Sequence, residues 1–222
     1  MKNKKISLVA GIMLCVLTVL FTVLYVALFG EEVAAHTQKP SDVSESYAKD
    51  AILFICEKGY MTTDTVGGAA YFYPEKEVTR GELAEVLVAY LGVETKTFEN
   101  ATLNFADEHT LPLELAPKVK AVLSHQYMML NADYTFGAEQ GITREETAHI
   151  FGALIEKEIS AGKSETFSDF GEIGAYFRKN ATRLVDFECM IGYEDGTFRP
   201  KNIITREELA LLLYRLATYN IS

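Results

Sequence analysis

Apolar positions recur at i, i+3, i+4, i+7 in three stretches of the chain: Leu83, Val86, Leu87, Tyr90; then Thr147, Ile150, Phe151, Leu154; then Leu209, Leu212, Leu213, Leu216. Each is the stripe of an amphipathic helix with one buried face. A shorter stripe precedes each: Ala48, Ala51, Ile52, Ile55; Val119, Val122, Leu123; and Ala181, Leu184, Val185. The pattern predicts three helix–loop–helix units, at residues 41–93, 104–156 and 167–218, with polar joints at 94–103 and 157–166. The loops carry turn chemistry: Gly67-Gly68 in the first and Asp195-Gly196 with Pro200 in the third. An aromatic residue, Phe72, Phe136 or Phe198, stands seven residues before a Thr-Arg pair in every unit and is expected to plug the gap between its helices. A unit of about 50 residues cannot bury both stripes alone, so the three should share one core.

One run breaks this pattern. Ile6–Phe29 is apolar and uncharged over 24 residues and follows Lys2, Lys4 and Lys5. A helix of that length spans a hydrocarbon core of about 30 Å. The lysines would stay cytoplasmic and the rest of the chain would be exported. Two readings stay open for residues 1–30: a retained single-pass anchor, which the length favours, or a signal segment cleaved after Val33-Ala34-Ala35. Residues 31–40 form a polar linker.

The full chain has a formal charge of −10; without residues 1–30 it has 18 basic against 31 acidic residues. That balance argues against nucleic acid and anionic lipid as partners of the bulk surface. Cys15, Cys56 and Cys189 make no disulfide framework; Cys56 and Cys189 read as small buried hydrophobes, with a bridge between them the alternative. His36, His109, His125 and His149 show no metal-ligand spacing, and no nucleophile elbow or phosphate-cradling loop is present. No metal, cofactor or catalytic residue is expected.

The candidate chemistry lies in a phrase that occurs three times: Val78-Thr79-Arg80-Gly81-Glu82, Ile142-Thr143-Arg144-Glu145-Glu146 and Ile204-Thr205-Arg206-Glu207-Glu208, its arginines 64 and 62 residues apart. Thr79, Thr143 and Thr205, each followed three residues later by Glu82, Glu146 or Glu208, read as capping boxes. Capping leaves the arginine unexplained. A cation at the first helical position opposes the helix dipole by about 0.3–1 kcal/mol. Two compensations are open. One is an internal salt bridge to an acid of a neighbouring unit. The other, favoured here, is an anionic ligand held by the guanidinium fork together with free helix N–H groups.

Ser41-Asp42-Val43, Tyr47-Ala48, Gly59-Tyr60-Met61 and Phe72-Tyr73-Pro74, followed by the first Thr-Arg phrase, resemble a repeat of the S-layer homology family. Phe167-Ser168-Asp169, Gly192-Tyr193-Glu194-Asp195-Gly196-Thr197-Phe198-Arg199-Pro200 and the third phrase resemble it more closely. The resemblance implies a mainly α fold of three tandem repeats in a pseudo-threefold bundle. It also implies grooves that bind pyruvylated secondary cell-wall polysaccharide, with no catalysis. It places Arg80, Arg144 and Arg206 at the ligand carboxylate, Tyr47 and Tyr176 at the family's tryptophan position, and Gly192 at its loop glycine. The chain departs from the family in having no Trp. Unit two is worn: Glu114 or Leu115 replaces the aromatic, Leu130 the loop glycine and Ala138 the proline. Unit one has Thr63 at the glycine position and Pro40 at the opening Phe. The expected role is anchoring in the cell envelope, with wall polysaccharide and, through residues 6–29, the membrane as partners; a scaffold that binds other envelope proteins and has lost sugar binding is the alternative.

Overall fold

The structure, a computed structural model, describes residues 38–155, 162 and 166–218. The expected membrane or signal segment and its cleavage site lie outside those residues. Among the described residues no helix is long and apolar enough to cross a membrane.

The chain is mainly helical. Among the described residues there are six α-helices: α1 (Lys49–Glu57), α2 (Arg80–Leu91), α3 (Ala116–Ser124), α4 (Arg144–Ala153), α5 (Ala175–Asp186) and α6 (Arg206–Thr218). One hairpin, β1 (Asp64–Val66) with β2 (Ala69–Tyr71), sits in the first loop. The sequence pattern read that stretch only as a long loop. Gly67 and Gly68, at φ 59° and 82°, form its two-residue turn; positive φ at both positions is the geometry that matches strand twist.

The predicted stripes are the core. Leu83, Leu87, Phe151, Leu209 and Leu213 are fully buried on α2, α4 and α6, and Ile52, Ile55, Val119, Val122, Ala181 and Leu184 answer them from α1, α3 and α5. Each such Ile or Leu contributes about 1.5–3 kcal/mol relative to exposure. The main helix pairings are between units: α2 packs on α3, α4 on α5, and α6 returns to α1. The reason lies at the helix starts, which are pinned to the neighbouring unit's backbone. Val78 N–H donates to Ile204 O (2.9 Å), Ile204 N–H to Ile142 O (3.0 Å) and Ile142 N–H to Val78 O (3.0 Å), a closed ring of three bonds among fully buried residues. Phe72, Phe136 and Phe198 are likewise fully buried, but each lies beneath the arginine of another unit and does not simply separate its own two helices.

Cys56 is half-buried and Cys189 buried, and both are free thiols, so no bridge joins them. Burial pushes both up to about 11, which leaves them protonated and unreactive at neutral pH.

Candidate functional site

At the start of α2, Thr79 Oγ1 accepts from Glu82 N–H at 3.1 Å. At α4 the exchange is reciprocal: Thr143 Oγ1 accepts from Glu146 N–H (3.3 Å), and Glu146 Oε2 accepts from Thr143 N–H (3.0 Å). At α6 the corresponding bonds are 3.4 Å and 3.1 Å. The first two N–H groups of each helix are also taken. Arg80, Arg144 and Arg206 donate their backbone N–H to Gln140, Asn202 and Lys76 carbonyls at 2.8–2.9 Å. Gly81, Glu145 and Glu207 donate to Ala138, Pro200 and Pro74 at 2.8–3.0 Å. The expectation of free helix N–H groups awaiting an anion is therefore corrected: the adjacent unit's loop already fills them.

The guanidinium groups follow the same cyclic rule. Arg80 donates from Nε to Phe136 O (2.7 Å) and from Nη2 to Met129 O (2.5 Å), with Nη1 3.3 Å from Glu146 Oε1. Arg144 donates to Phe198 O (2.9 Å) and Ile191 O (3.0 Å), with Nη1 3.1 Å from Glu208 Oε1. Arg206 donates to Phe72 O (2.7 Å) and Thr62 O (2.7 Å) and pairs with Glu82, closing the circle. The arginines are only 6%, 2% and 8% exposed. Of the two compensations open from sequence, which can coexist, the structure contains the internal salt bridge in all three copies. Charge-assisted bonds worth about 1.5–3 kcal/mol each outweigh the dipole term. Burial lowers the Arg80 and Arg206 pKa from the ordinary value, and Glu146 and then Asp107 oppose it at Arg80.

Open clefts lie around this ring. Tyr47, Arg144 and Gly192 line one cavity of about 350 Å³, with Tyr193, Glu208 and Arg215. Three units thus contribute to it. Tyr193 donates its hydroxyl to Glu208 Oε1, and its ring lies 4.8 Å from the Arg144 guanidinium and 3.8 Å from that of Arg199. Burial and then the Glu208 bond push the Tyr193 phenol up to about 12. Gly192 is required by space, since a Cβ there would run into the Phe167 ring and the Thr197 carbonyl. Tyr47 is 65% exposed.

Tyr176 stands elsewhere, in a cavity of about 580 Å³ lined by Met129, Leu130, Asn131 and Tyr134 and by no charged side chain. Its ring is 4.7 Å from His149, and its hydroxyl is 3.3 Å from Met129 Sδ. Arg80 lies behind Met129, whose carbonyl it holds. In the corresponding place before α3, Leu115 packs toward Gly81 and Leu113 is 93% exposed. Arg206, in the third copy, is covered by Thr62 and Phe72 carbonyls. The sequence-derived candidates are thus split: Tyr47, Arg144 and Gly192 converge, whereas Tyr176, Arg80 and Arg206 lie apart from them.

Sequence reasoning missed one set of residues. Asp42 accepts from Phe72 and Tyr73 N–H (2.8 and 2.7 Å), Asp107 from Phe136 and Gly137 (2.7 and 2.8 Å), and Asp169 from Phe198 and Arg199 (2.6 and 2.7 Å). These carboxylates fix the loops whose carbonyls receive the arginines. The signal was present: an Asp 29 or 30 residues before the loop aromatic in every unit. Tyr193, inside the quoted motif, was also passed over. Among the described residues no cluster of His, Cys, Asp and Glu could hold a metal ion.

Residues 166–210 match the family model of the S-layer homology domain. The chain is similar to cell surface glycoprotein 1 of Acetivibrio thermocellus, 29% identical over 157 residues, which are 65% of this chain and 6% of that protein. It is 31% identical over 150 residues to the cellulosome-anchoring protein of the same organism, covering 65% of this chain and 33% of the relative. An amylopullulanase of Thermoanaerobacterium thermosulfurigenes is 26% identical over 185 residues, 79% of this chain but 9% of the enzyme. The chain thus spans a third or less of the length of each of these relatives.

Proposed function

We propose that the chain is a non-catalytic anchoring module of the cell envelope, built from three S-layer homology repeats about a pseudo-threefold axis. In this reading it binds anionic, pyruvylated wall polysaccharide in the clefts between repeats. The observation that carries it is the convergence of Tyr47, Arg144 and Gly192, from three units, on one open cavity. An exposed tyrosine face, a glycine that lets the loop close down and a guanidinium in the wall suit a sugar bearing a carboxylate. Arg144 commits three of its five N–H donors to the protein in the contacts given above, so a ligand oxygen would meet a remaining donor or exchange with Glu208. Arg80 and Arg206 would serve the equivalent clefts. Residues 6–29 would hold the other end in the membrane, and the mass of the mature protein in membrane and wall fractions distinguishes this from cleavage after Ala35.

The test is co-sedimentation of the full-length chain with purified wall sacculi, before and after removal of their secondary polysaccharide. Binding that survives the removal, or no binding to either, sinks the proposal.

One observation favours a second reading, a scaffold for other envelope proteins: all three arginines already have internal acidic partners. In that case the chain ignores sacculi and captures a protein from envelope extract.

A further inference from the structure

The residue after each motif arginine donates its backbone N–H to the neighbouring unit's loop: Glu145 to the Pro200 carbonyl, Gly81 to Ala138 and Glu207 to Pro74. These bonds set a common register, so Lys201, Glu139 and Glu75, which follow the accepting carbonyls, hold one equivalent position. The three copies use it differently. Glu145, 5% exposed, accepts the Gly174 N–H at 2.9 Å through Oε2 and meets the Lys201 ammonium at 2.5 Å through Oε1. Gly81 brings no carboxylate to its copy. Glu207 keeps the carboxylate, and its Oε2 accepts from Ser46 Oγ at 2.6 Å, but Glu75 stands where the lysine would be. Among the described residues no cation pairs with Glu207 or Glu75. Like charges thus occupy the place where another copy has a salt bridge, and such a break in a local rule is expected where a ligand is served.

Both glutamates line one open groove of about 640 Å³, with Glu45 beside them and Lys76 the one cation of the lining. Asp42 also reaches it, but both its oxygens are committed to the Phe72 and Tyr73 N–H groups. Tyr47 and Tyr73 present exposed rings to the groove, and Tyr73 is steadied by stacking on Tyr71 at 5.8 Å. Burial first, and then Glu207 and Glu208, raise the Tyr47 phenol, while Arg144 opposes them. An aromatic face beside a carboxylate suits an alkylammonium, whose charge is drawn to the ring and whose stem lies along it. The volume fits a short chain segment better than a single ion.

We infer that this groove, between the start of α6 and the segment before α1, docks a lysine-bearing segment of a partner protein, with the lysine ammonium on Glu207 as Lys201 is on Glu145 and its stem against Tyr47 and Tyr73. Glu75 and Glu45 favour a segment with more than one cation. Only Tyr47 is common to this groove and the cleft of Arg144 and Gly192. The inference goes beyond the wall-polysaccharide reading and does not rest on it.

The experiment titrates the full-length chain by calorimetry with an end-blocked Gly-Lys-Gly-Lys-Gly peptide and with the same peptide acetylated at both lysine Nζ atoms. Wild type binds the free-amine peptide at least tenfold more tightly than the acetylated one, and the affinity falls as salt rises. Glu75→Lys, which rebuilds in this copy the pair that Lys201 makes with Glu145, weakens peptide binding at least tenfold while its unfolding midpoint stays at or above that of wild type. Glu207→Gln weakens binding at least fivefold. Glu139→Lys, the same charge change at the equivalent position beside Gly81, stays within twofold of wild type. Glu75→Lys still sediments with wall sacculi. No binding of the free-amine peptide, equal binding of the acetylated one, or equal losses for Glu75→Lys and Glu139→Lys overturns the inference. Loss of sacculus binding in Glu75→Lys also overturns it, because the groove is then part of the wall site. Failure of the wild-type chain to sediment with sacculi counts against the anchoring reading alone.

Discussion

Glu208 turns its two carboxylate oxygens in different directions: Oε2 accepts the Thr205 N–H of its own helix cap at 3.1 Å, and Oε1, which also accepts the Tyr193 hydroxyl, lies 3.1 Å from Arg144 Nη1 of the preceding unit. A local capping device thereby doubles as a link between units. With Arg144 2% exposed, removing either partner leaves a buried charge without its counterpart. Arg144→Gln should therefore cost about 3–5 kcal/mol of stability, measured by urea unfolding. A loss below about 1 kcal/mol would show that the pair is incidental. The same figure warns that alanine substitutions of the motif arginines test folding before they test binding.

What the sequence revealed and what it hid follow from distance along the chain. The stripes of α2, α4 and α6 and their threonine caps were legible because helix periodicity and capping act over three or four residues. The misfit of Arg80, Arg144 and Arg206 with the helix dipole was legible for the same reason. Their partners were not, because Glu146 lies 66 residues from Arg80, and Glu82 lies 124 residues before Arg206. Those glutamates had already been assigned to capping, and a carboxylate's second oxygen leaves no trace in a local pattern. The convergence of Tyr47, Arg144 and Gly192 required the α6–α1 closure, which no stripe encodes. Asp42, Asp107 and Asp169 were visible as a repeat but had no role until their loop N–H partners were seen.

Helices α4 and α5 approach closely at Gly152, where a Cβ would collide with the Asn180 backbone carbonyl. The corresponding positions of α2 and α6 hold Val88 and Tyr214. Backbone cannot step aside as a side-chain tip can. Gly152→Ala should cost at least about 2 kcal/mol through overpacking, seen as a lowered denaturation midpoint. Gly92→Ala, at φ 64° with open space around it, should cost about 1–2 kcal/mol from backbone strain alone. If Gly152→Ala is the milder of the two, the close approach is not what its geometry indicates.

Asp169 holds two consecutive loop N–H groups, and the same loop's carbonyl receives Arg144 Nε. Asp169→Ala should lower stability by about 3 kcal/mol or more, because two charge-assisted bonds of about 1.5–3 kcal/mol are lost together. The damage should spread to the neighbouring unit. In a double-mutant cycle, Asp169→Ala and Arg144→Gln should couple by more than about 0.5 kcal/mol although their side chains share no bond. Strict additivity would mean that the loop keeps its shape without the clamp.

Asp195 supplies the pH prediction. Thr197 Oγ1 and backbone N–H donate to Oδ1 at 2.5 and 3.0 Å, and Arg199 Nη2 lies 2.8 Å from Oδ2. The Thr197 hydroxyl first, and then Arg199, hold the carboxyl down at about 2, against an ordinary value of 3.8. A folded-state pKa below the unfolded one means that the ionised form is favoured by folding. Its contribution is full above the unfolded value of about 4 and is lost as pH falls through about 2. An NMR titration of the Asp195 side chain should therefore show a midpoint near 2. Thr197→Val removes the leading donor and should move that midpoint up toward the ordinary carboxylate range, while Arg199→Gln should move it less. The stability profile of Asp195→Asn should flatten between pH 4 and 2 relative to wild type. A wild-type midpoint near 4 would show that the turn does not hold the carboxylate in solution.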